Sequence, residues 1–355
     1  MRIGILTHHY VKNYGAFLQA YALLNEIKKM NPHVEIEFID LVVPKHFLLV
    51  FYRSFKSALC KHSLRKLQIE VKTYKMHEKY EHTLPISEQK PDKKFWKRYD
   101  KVIIGSDEVW NFMDYSKHPY KFGYGITGPD IYAYAASAGQ AQINDIIPSY
   151  VSQGMKEFKA IAVRDKNTQQ LVKNLIHKNP PLVVDPTLLY DFQLDENILK
   201  QNKVNKKYLL IYGCVFTNEQ MMVLKQYAAK NQLMFLSAGE NTSWCENSDK
   251  VVNPFEWVNL FRNAECIITG TFHGLMFSLM FRKNFICMPV YKNRINKTKT
   301  ILENIGMDHR FLEPGRNSDE FRLLLNTETN YKLGNKRIED MIISSKDYLW
   351  RIVNE

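Results

Sequence analysis

At 355 residues the chain is long enough for two domains of ordinary size. With 45% hydrophobic and 24% charged residues it has the composition of a soluble globular protein, which excludes a disordered chain, a collagen-like repeat and a coiled-coil rod. Lys plus Arg total 49 against 37 Asp plus Glu, a formal net charge of +12, so the expected partners are anionic: acidic small substrates, an anionic membrane surface or nucleic acid.

No apolar run approaches the roughly 18–20 residues of a membrane span. The N-terminus, MRIGILTHHY, lacks the charged, apolar and small-residue succession of a secretory signal. Cys60, Cys214, Cys245, Cys266 and Cys287 are scattered, with no CxxC spacing, and read as reduced thiols of a cytoplasmic protein.

In chain order, Arg2–His9 has the short apolar run of a buried parallel strand, and a polar turn, Val11–Tyr14, follows. From Gly15 to Met30 apolar residues recur at helical spacing, with lysines in the last turn, where they suit the helix dipole. Val34–Asp40 is a second strand, completing a strand–loop–helix–strand unit of the doubly wound type. Residues 44–100 are mainly helical in character and break the alternation. Between Pro44 and Lys101 stand fifteen Lys/Arg and six Asp/Glu, a net of +9, with Phe51, Tyr52, Phe55, Tyr74, Tyr80, Phe95 and Trp96 among them. That is a solvated helical surface or an anion-facing insert. There is no ribonucleoprotein motif, helix-turn-helix signal or zinc finger, so nucleic acid is the weakest of the three partners.

Strands resume at Lys101–Asp107, Tyr132–Ser137, Ala160–Asp165 and Leu182–Thr187, and the polar stretch 193–207 reads as an interdomain linker. A second series follows: strand Tyr208–Phe216, helix Asn218–Asn231, strand Gln232–Ser237, helix Pro254–Ala264 and strand Cys266–Thr269. A short helix from Gly274, strand Asn284–Val290, helix Asn296–Gly306 and a terminal helix at 335–354 complete it. The pattern predicts an α/β chain of two Rossmann-like halves: domain 1–192 with an insert at 44–100, domain 208–333, and a C-terminal helix, 334–355. Ligands are expected in the crevice facing the strands' C-terminal ends.

Among candidate site residues, His273 stands between a strand and an apolar helix, with Gly270 and Gly274 on either side. Glycines admit close backbone approach, amides at a helix N-terminus attract phosphate, and an imidazole serves as acid or base near neutrality. The same pattern also fits a histidine capping a buried helix. Arg164, at the end of the strand AIAVRD, can grip a carboxylate or phosphate bidentately, or pair with Asp165 or another carboxylate nearby. Lys292 and Arg294 follow the strand NFICMPV in the same way. In GSDEVWN, Ser106, Asp107 and Asn111 offer hydrogen bonds, and Trp110 offers a flat face for a sugar or a packed core ring. Asn13, Tyr14 and Gly15 occupy the turn after the first strand without the three-glycine dinucleotide fingerprint. Asp185 and Thr187 read as structural. Walker A, HExxH and GxSxG motifs are absent, and no catalytic metal is expected.

Taken in order, NYGAFLQAYAL (Asn13–Leu23), GSDEVWN, YAASAG (Tyr134–Gly139), AVRDKNTQQL (Ala162–Leu171), VVDPTLL (Val183–Leu189), TFHGLMFSLMF (Thr271–Phe281) and ILENIGM (Ile301–Met307) resemble the polysaccharide pyruvyl transferase family. The resemblance implies two Rossmann-like domains facing a cleft, similar to the glycosyltransferase-B architecture. It implies transfer of the pyruvyl group of phosphoenolpyruvate to a sugar with closure of a cyclic ketal, in bacterial surface-polysaccharide biosynthesis, with no cofactor. By the same resemblance His273 is the general acid. Arg164 and Lys292, with Thr271 and Gly274, hold the donor, and Arg294 and Lys297 are alternatives to Lys292. Asn13, Tyr14, Asp107, Trp110 and Asn111 face the acceptor. Gly270 and Thr271 stand where the family often has an acidic residue and serine, and Glu108 where it often has Gln. A lipid-linked acceptor would bring the basic insert to the inner face of the membrane. The rival readings are a nucleotide-sugar glycosyltransferase of the same shape and a saccharide-binding protein without chemistry.

Overall fold

Short apolar runs alternating with amphipathic segments build two parallel sheets. The computed structural model describes residues 1–355 except 45–47, 50, 51, 53, 54, 57–63, 240, 241, 243, 248, 249, 314, 316 and 317, and omits the side chains of 292, 293, 296 and 333. Phe51, Cys60 and much of the first part of the basic insert therefore lie outside the described residues.

The chain divides into a first unit, Met1–Tyr190 with Met341–Glu355, and a second, Asp191–Asp340. In the first unit β1 (Arg2–Leu6), β2 (Glu35–Phe38), β3 (Lys101–Ile104), β4 (Asp130–Ala136) and β5 (Phe158–Val163) form one sheet in the order β2-β1-β3-β4-β5. Every neighbouring pair is parallel, with Ile3 beside Ile36 on one side and Lys101 on the other. Six of the seven residues of β4 are buried, as a central strand covered on both faces requires. The helices are α1 (Tyr14–Met30), α2 (Leu64–Glu81), α3 (Ser149–Met155), α4 (Lys166–Ile176) and α5 (Pro186–Leu189). Trp96, Val102, Ile104, Trp110, Phe122 and Val163 are among the core residues.

The second unit opens with α6 (Glu196–Leu199) and continues through β6 (Tyr208–Tyr212), α7 (Asn218–Asn231), β7 (Met234–Ser237), α8 (Pro254–Asn263), β8 (Cys266–Thr269) and α9 (Phe272–Met280). Then come β9 (Asn284–Cys287), α10 (Lys292–Ile305), α11 (Ser318–Asn326) and α12 (Lys332–Asn354). Its sheet, β7-β6-β8-β9, is again wholly parallel. Capping boxes start α7, at Thr217 with Gln220, and α8, at Asn253 with Glu256. The last turns of α12 belong to the first unit. Leu349, Ile352 and Val353 are buried, the Lys101 ammonium donates to the Ile352 carbonyl at 2.7 Å, and the Val184 amide donates to the Ser345 hydroxyl at 3.0 Å.

Each sheet has one place where the chain order reverses: between β1 and β3 in the first unit, and between β6 and β8 in the second. In doubly wound folds ligands gather at the strands' carboxyl ends at such a point.

Three expectations are corrected. Leu182–Thr187 is not a strand; it makes a single bridge, Leu182 to Val163, before Asp185 caps α5 and Pro186 takes its first turn, where a missing N–H costs nothing. The stretch 193–207 is no loose linker. Asp195 caps α6, and Asn253 and Asn259 of the α8 region donate to Gln201 and to the Asn202 carbonyl. Helix α10 starts at Lys292 rather than Asn296, because no glycine or proline interrupts the run before Gly306, so Lys292 and Arg294 are helical residues. Among the described residues no helix is long and apolar enough to cross a membrane.

Candidate active site

Two polar clusters stand at the two reversal points, and each is built within its own unit. In the first unit, β1 runs into Thr7 and His8, β3 into Ser106 and Asp107, and β5 into Arg164. The Thr7 hydroxyl donates to the Ser106 carbonyl at 2.9 Å, fastening the two strand ends together. Arg164 is buried and donates from Nη1 to Asp185 Oδ2 at 2.7 Å, while its Nη2 lies 3.6 Å from Asp107 Oδ1. Ser106 Oγ donates to the same Asp185 oxygen at 3.1 Å, and Asp185 Oδ1 accepts from the amide and hydroxyl of Thr187. Burial works against the Arg164 charge, but Asp185 and Asp107 outweigh it and hold the guanidinium above even its usual range.

From Asp107 the cluster continues. His8 Nδ1 lies 3.9 Å from Asp107 Oδ2, and Lys121 Nζ lies 2.7 Å from His8 Nε2 and 2.8 Å from the Ser116 carbonyl. Lys121 is fully enclosed, and burial, offset in part by Asp114 and Asp107, brings its ammonium down to about 7. Tyr10 is pushed up by burial and then by the same two aspartates.

In the second unit, the turn Gly270–Thr271 joins β8 to α9. Thr271 caps the helix, its hydroxyl accepting the Gly274 amide at 3.0 Å, and its own amide donates to Thr269 Oγ1 at 3.2 Å. A β-carbon on Gly274 would strike the Thr269 hydroxyl and lie 2.7 Å from that of Thr271. One on Gly270 would strike the Gly213 carbonyl and lie 2.8 Å from that of Met288. His273 is half-buried in the first turn of α9, its ring edge-on to Phe272 with centroids 5.2 Å apart. Arg294, from α10, reaches the same corner: a β-carbon on Gly213 would meet the Thr271 methyl and lie 3.2 Å from Arg294 Nη1. The guanidinium also sits 5.0 Å over the exposed Tyr291 ring.

The structure thus groups Arg164 with Asp107, and Thr271 with Arg294 next to His273. Several of these side chains have partners within the protein. Arg164 is paired with two carboxylates, Asp185 at 2.7 Å and Asp107 at 3.6 Å, the intramolecular pairing that the sequence also allowed. Trp110 is fully buried against Phe158, its indole N–H donating to the Lys121 carbonyl, and has no face for a sugar. Tyr14 is buried against His77 of α2, 4.8 Å between centroids. The Gly274 amide is taken by the Thr271 cap, and the flanking glycines serve chain packing. Asn13 spends its side-chain oxygen capping α1 at the Ala16 amide, and Asn111 accepts from the Met113 amide. The Lys292 side chain lies outside the described residues, and Lys297 is half-buried further along α10. His8 and Lys121 were not foreseen. His8 carries a signal, a polar residue just past a buried strand, whereas Lys121 in KHPYKFGYG carries none.

The polysaccharide pyruvyl transferase family model matches residues 13–291. No curated protein matches the chain. Among solved structures, the UDP-GlcNAc 2-epimerase from Methanocaldococcus jannaschii is similar at a TM-score of 0.53 and 12% identity, covering 98% of this chain and 100% of that one. UGT89C1 of Arabidopsis thaliana is similar at 0.51 and 10%, covering 99% of each. At such identities the likeness is one of fold, and the fold is the expected one, α/β with two parallel Rossmann-like sheets of the glycosyltransferase-B kind. The family match spans well over half of the sequence, from the start of α1 through β3, β5 and the whole β6–β8 reversal, and on that ground the chain belongs to the polysaccharide pyruvyl transferase family.

Proposed function

We propose that the protein transfers the pyruvyl group of phosphoenolpyruvate to a saccharide acceptor and closes a cyclic ketal, in the assembly of a bacterial surface polysaccharide. The observation that carries this reading is the corner of Gly213, Thr271 and Arg294 beside His273: a cation and an imidazole on the first turn of a helix, at the reversal point of a parallel sheet. Family membership supports it.

The chemistry needs little else. His273 gives a proton to the methylene carbon, leaving an oxocarbenium-like centre at C2 that a first acceptor hydroxyl attacks. A second hydroxyl then displaces phosphate, whose leaving charge Arg294 stabilises together with the α9 dipole. Of the two hydroxyl protons released, one restores the proton given to the methylene and the other leaves with the phosphate. Arg294 takes the donor-holding role here in preference to Arg164, whose charge is already matched.

Thermal unfolding with phosphoenolpyruvate and, separately, with UDP-sugars tests the reading. A donor present at about 100 times its dissociation constant adds roughly 2.7 kcal/mol. Arg294→Ala, removing a charged hydrogen bond worth about 1.5–3 kcal/mol, should weaken phosphoenolpyruvate binding roughly 10- to 100-fold. His273→Gln should keep the binding and stop solvent deuterium from entering the methyl group of the product. Stabilisation by a UDP-sugar and none by phosphoenolpyruvate would make the protein a glycosyltransferase or epimerase instead. A UDP-GlcNAc and UDP complex is known for the Methanocaldococcus jannaschii epimerase, similar at 0.50 and 13%.

The insert supports contact with an anionic membrane surface. Lys93, Lys94 and Lys97 are exposed, while Arg98 is partly engaged by Glu37 at 3.1 Å. Reversing the three lysine charges should abolish salt-sensitive pelleting with phosphatidylglycerol vesicles, and unchanged pelleting would remove this role.

A further inference from the structure

The second unit's sheet carries another feature at the amino ends of its strands. Lys207 precedes β6, Leu233 precedes β7, Glu265 precedes β8 and Asn284 begins β9. All four line a cavity of about 500 Å³, within the size class of small-ligand sites. It lies at the opposite end of β6, β8 and β9 from the corner of Thr271 and Arg294, roughly 15 Å away at about 3.3 Å per strand residue. Small-ligand sites are mostly apolar, but Leu233 and Leu325 are the only aliphatic side chains in this lining among the described residues. Two bases, Lys207 and Arg282, are matched by two acids, Glu265 and Glu328, so the lining carries no net charge.

The wall is held from behind. Arg310 is fully buried and donates to the carbonyls of Phe285, Leu324 and Thr327 and to Asn284 Oδ1. The Thr329 hydroxyl donates to the same oxygen at 2.8 Å, so Nδ2 is the end of the Asn284 amide left for a ligand. Asn231 and Asn326 are held the other way round. Their amide nitrogens donate to the Tyr227 and Arg322 carbonyls, and their oxygens are left to accept. Arg282 closes α9 in a Schellman turn, its amide donating to the Leu279 carbonyl at 3.1 Å and that of Lys283 to Ser278 at 3.0 Å. Its φ is 49°, the left-handed region where glycine is the usual residue and an arginine is strained. Backbone strain of this kind gathers at binding sites, and here it sets a long cation on the cavity wall.

We propose that this cavity is a second, non-catalytic saccharide site, which binds a sugar ring of an uncharged glycan. Each sugar hydroxyl both donates and accepts, and the lining offers fixed donors (Asn284, Lys207, Arg282) beside fixed acceptors (Asn231, Asn326, Glu265). An anionic ligand would meet Glu265 and Glu328, and a cationic one Lys207 and Arg282. An apolar ligand would strip water from polar groups and give no hydrogen bonds in return. Tyr331 spends its hydroxyl on the Ser278 and Lys283 carbonyls, so it offers the ligand its ring. Such a site goes beyond pyruvyl transfer and does not depend on it, since a ring bound at the amino ends of the strands stays clear of the corner at their carboxyl ends. Holding a glycan at a second point raises overall affinity without any new contact where the chemistry is done.

The test follows the side-chain amide signals of Asn231, Asn284 and Asn326 by NMR in the full chain, deuterated and labelled with 15N. The probes are the methyl glycosides of glucose, galactose, mannose and N-acetylglucosamine, with inorganic phosphate as the anionic control. At least one glycoside should shift all three amides saturably, and phosphate should shift none. Arg282→Gly relieves the left-handed backbone, so it should melt no lower than the wild type while weakening glycoside binding about 10-fold or more, the loss of a charged hydrogen bond. Glu265→Gln, which keeps the shape, should weaken it in the same direction, and Arg294→Ala should leave the three shifts as they are. Glycosides that move none of the three amides, or wild-type affinity in both Arg282→Gly and Glu265→Gln, would overturn the site. Shifts caused by phosphate and by no glycoside would make it an anion site and overturn the saccharide. Stabilisation by phosphoenolpyruvate without any glycoside shift would leave pyruvyl transfer standing and this site refuted. Glycoside shifts in a protein that phosphoenolpyruvate neither stabilises nor serves as donor would do the reverse.

Discussion

Truncating Arg164 removes the guanidinium that lies between two carboxylates, one of them wholly buried. Breaking a buried pair from one side typically costs about 3–5 kcal/mol, and Arg164→Ala should show a loss of that size in urea unfolding. Arg164→Lys should recover only part of it, because an ammonium cannot reproduce the planar fork. A pH effect belongs to the same scale. Burial brings His9 and His77 down to about 4 from the ordinary 6.5. Between those values the unfolded chain binds more protons than the folded one, so stability rises with pH across that window and is lost as pH falls through it. Each contributes at most roughly 3 kcal/mol. His77→Phe, which keeps a ring against Tyr14, should flatten its share of the slope in melting curves from pH 4 to 7. Arg164, Asp107 and His273 were legible because each stands where an apolar run meets a polar turn. Trp110 and Tyr14 misled because an aromatic ring beside polar residues reads the same whether it faces a ligand or the core. Lys121 was invisible because only the fold encloses it.

Among the elements, the β8–α9 turn shows how tightly the candidate corner is set. Gly274→Ala would drive a methyl group into the Thr269 hydroxyl and crowd the Thr271 cap. Overpacking of this kind costs typically 1–3 kcal/mol, and since relief requires α9 to move, phosphoenolpyruvate binding should weaken along with the melting temperature. Helix α7 could be read residue for residue, since Thr217 and Gln220 announce its start and the apolar spacing runs unbroken. Helix α11 escaped notice because its apolar stripe, Phe321, Leu324 and Leu325, is too short to stand out from sequence periodicity. The segment 182–187 was misjudged because Val183 and Val184 carry strand propensity that Asp185 and Pro186 overrule.

For the whole molecule, both units follow one scheme: a parallel sheet, a reversal beside the first strand, and the polar cluster at that reversal. The alternation of strands and helices foretold this much. It gave no hint that 341–355 returns to the first unit, because a helix reads alike wherever it packs. Deleting 341–355 should expose the faces that Leu349, Ile352 and Val353 cover and leave Lys101 and Val184 without their α12 partners. Amide hydrogen exchange should then quicken across β1, β3 and β4 and stay unchanged across β6 and β8. Equal exchange in every strand would show that α12 adds nothing to the first sheet. The same return has a consequence for the order of events on the ribosome. Everything the second unit needs is contiguous and has emerged once residue 340 is out, whereas the first unit waits for residues 341–355. The half translated first is therefore completed after the other, and a stall between residues 190 and 340 leaves its sheet without the cover of Leu349, Ile352 and Val353.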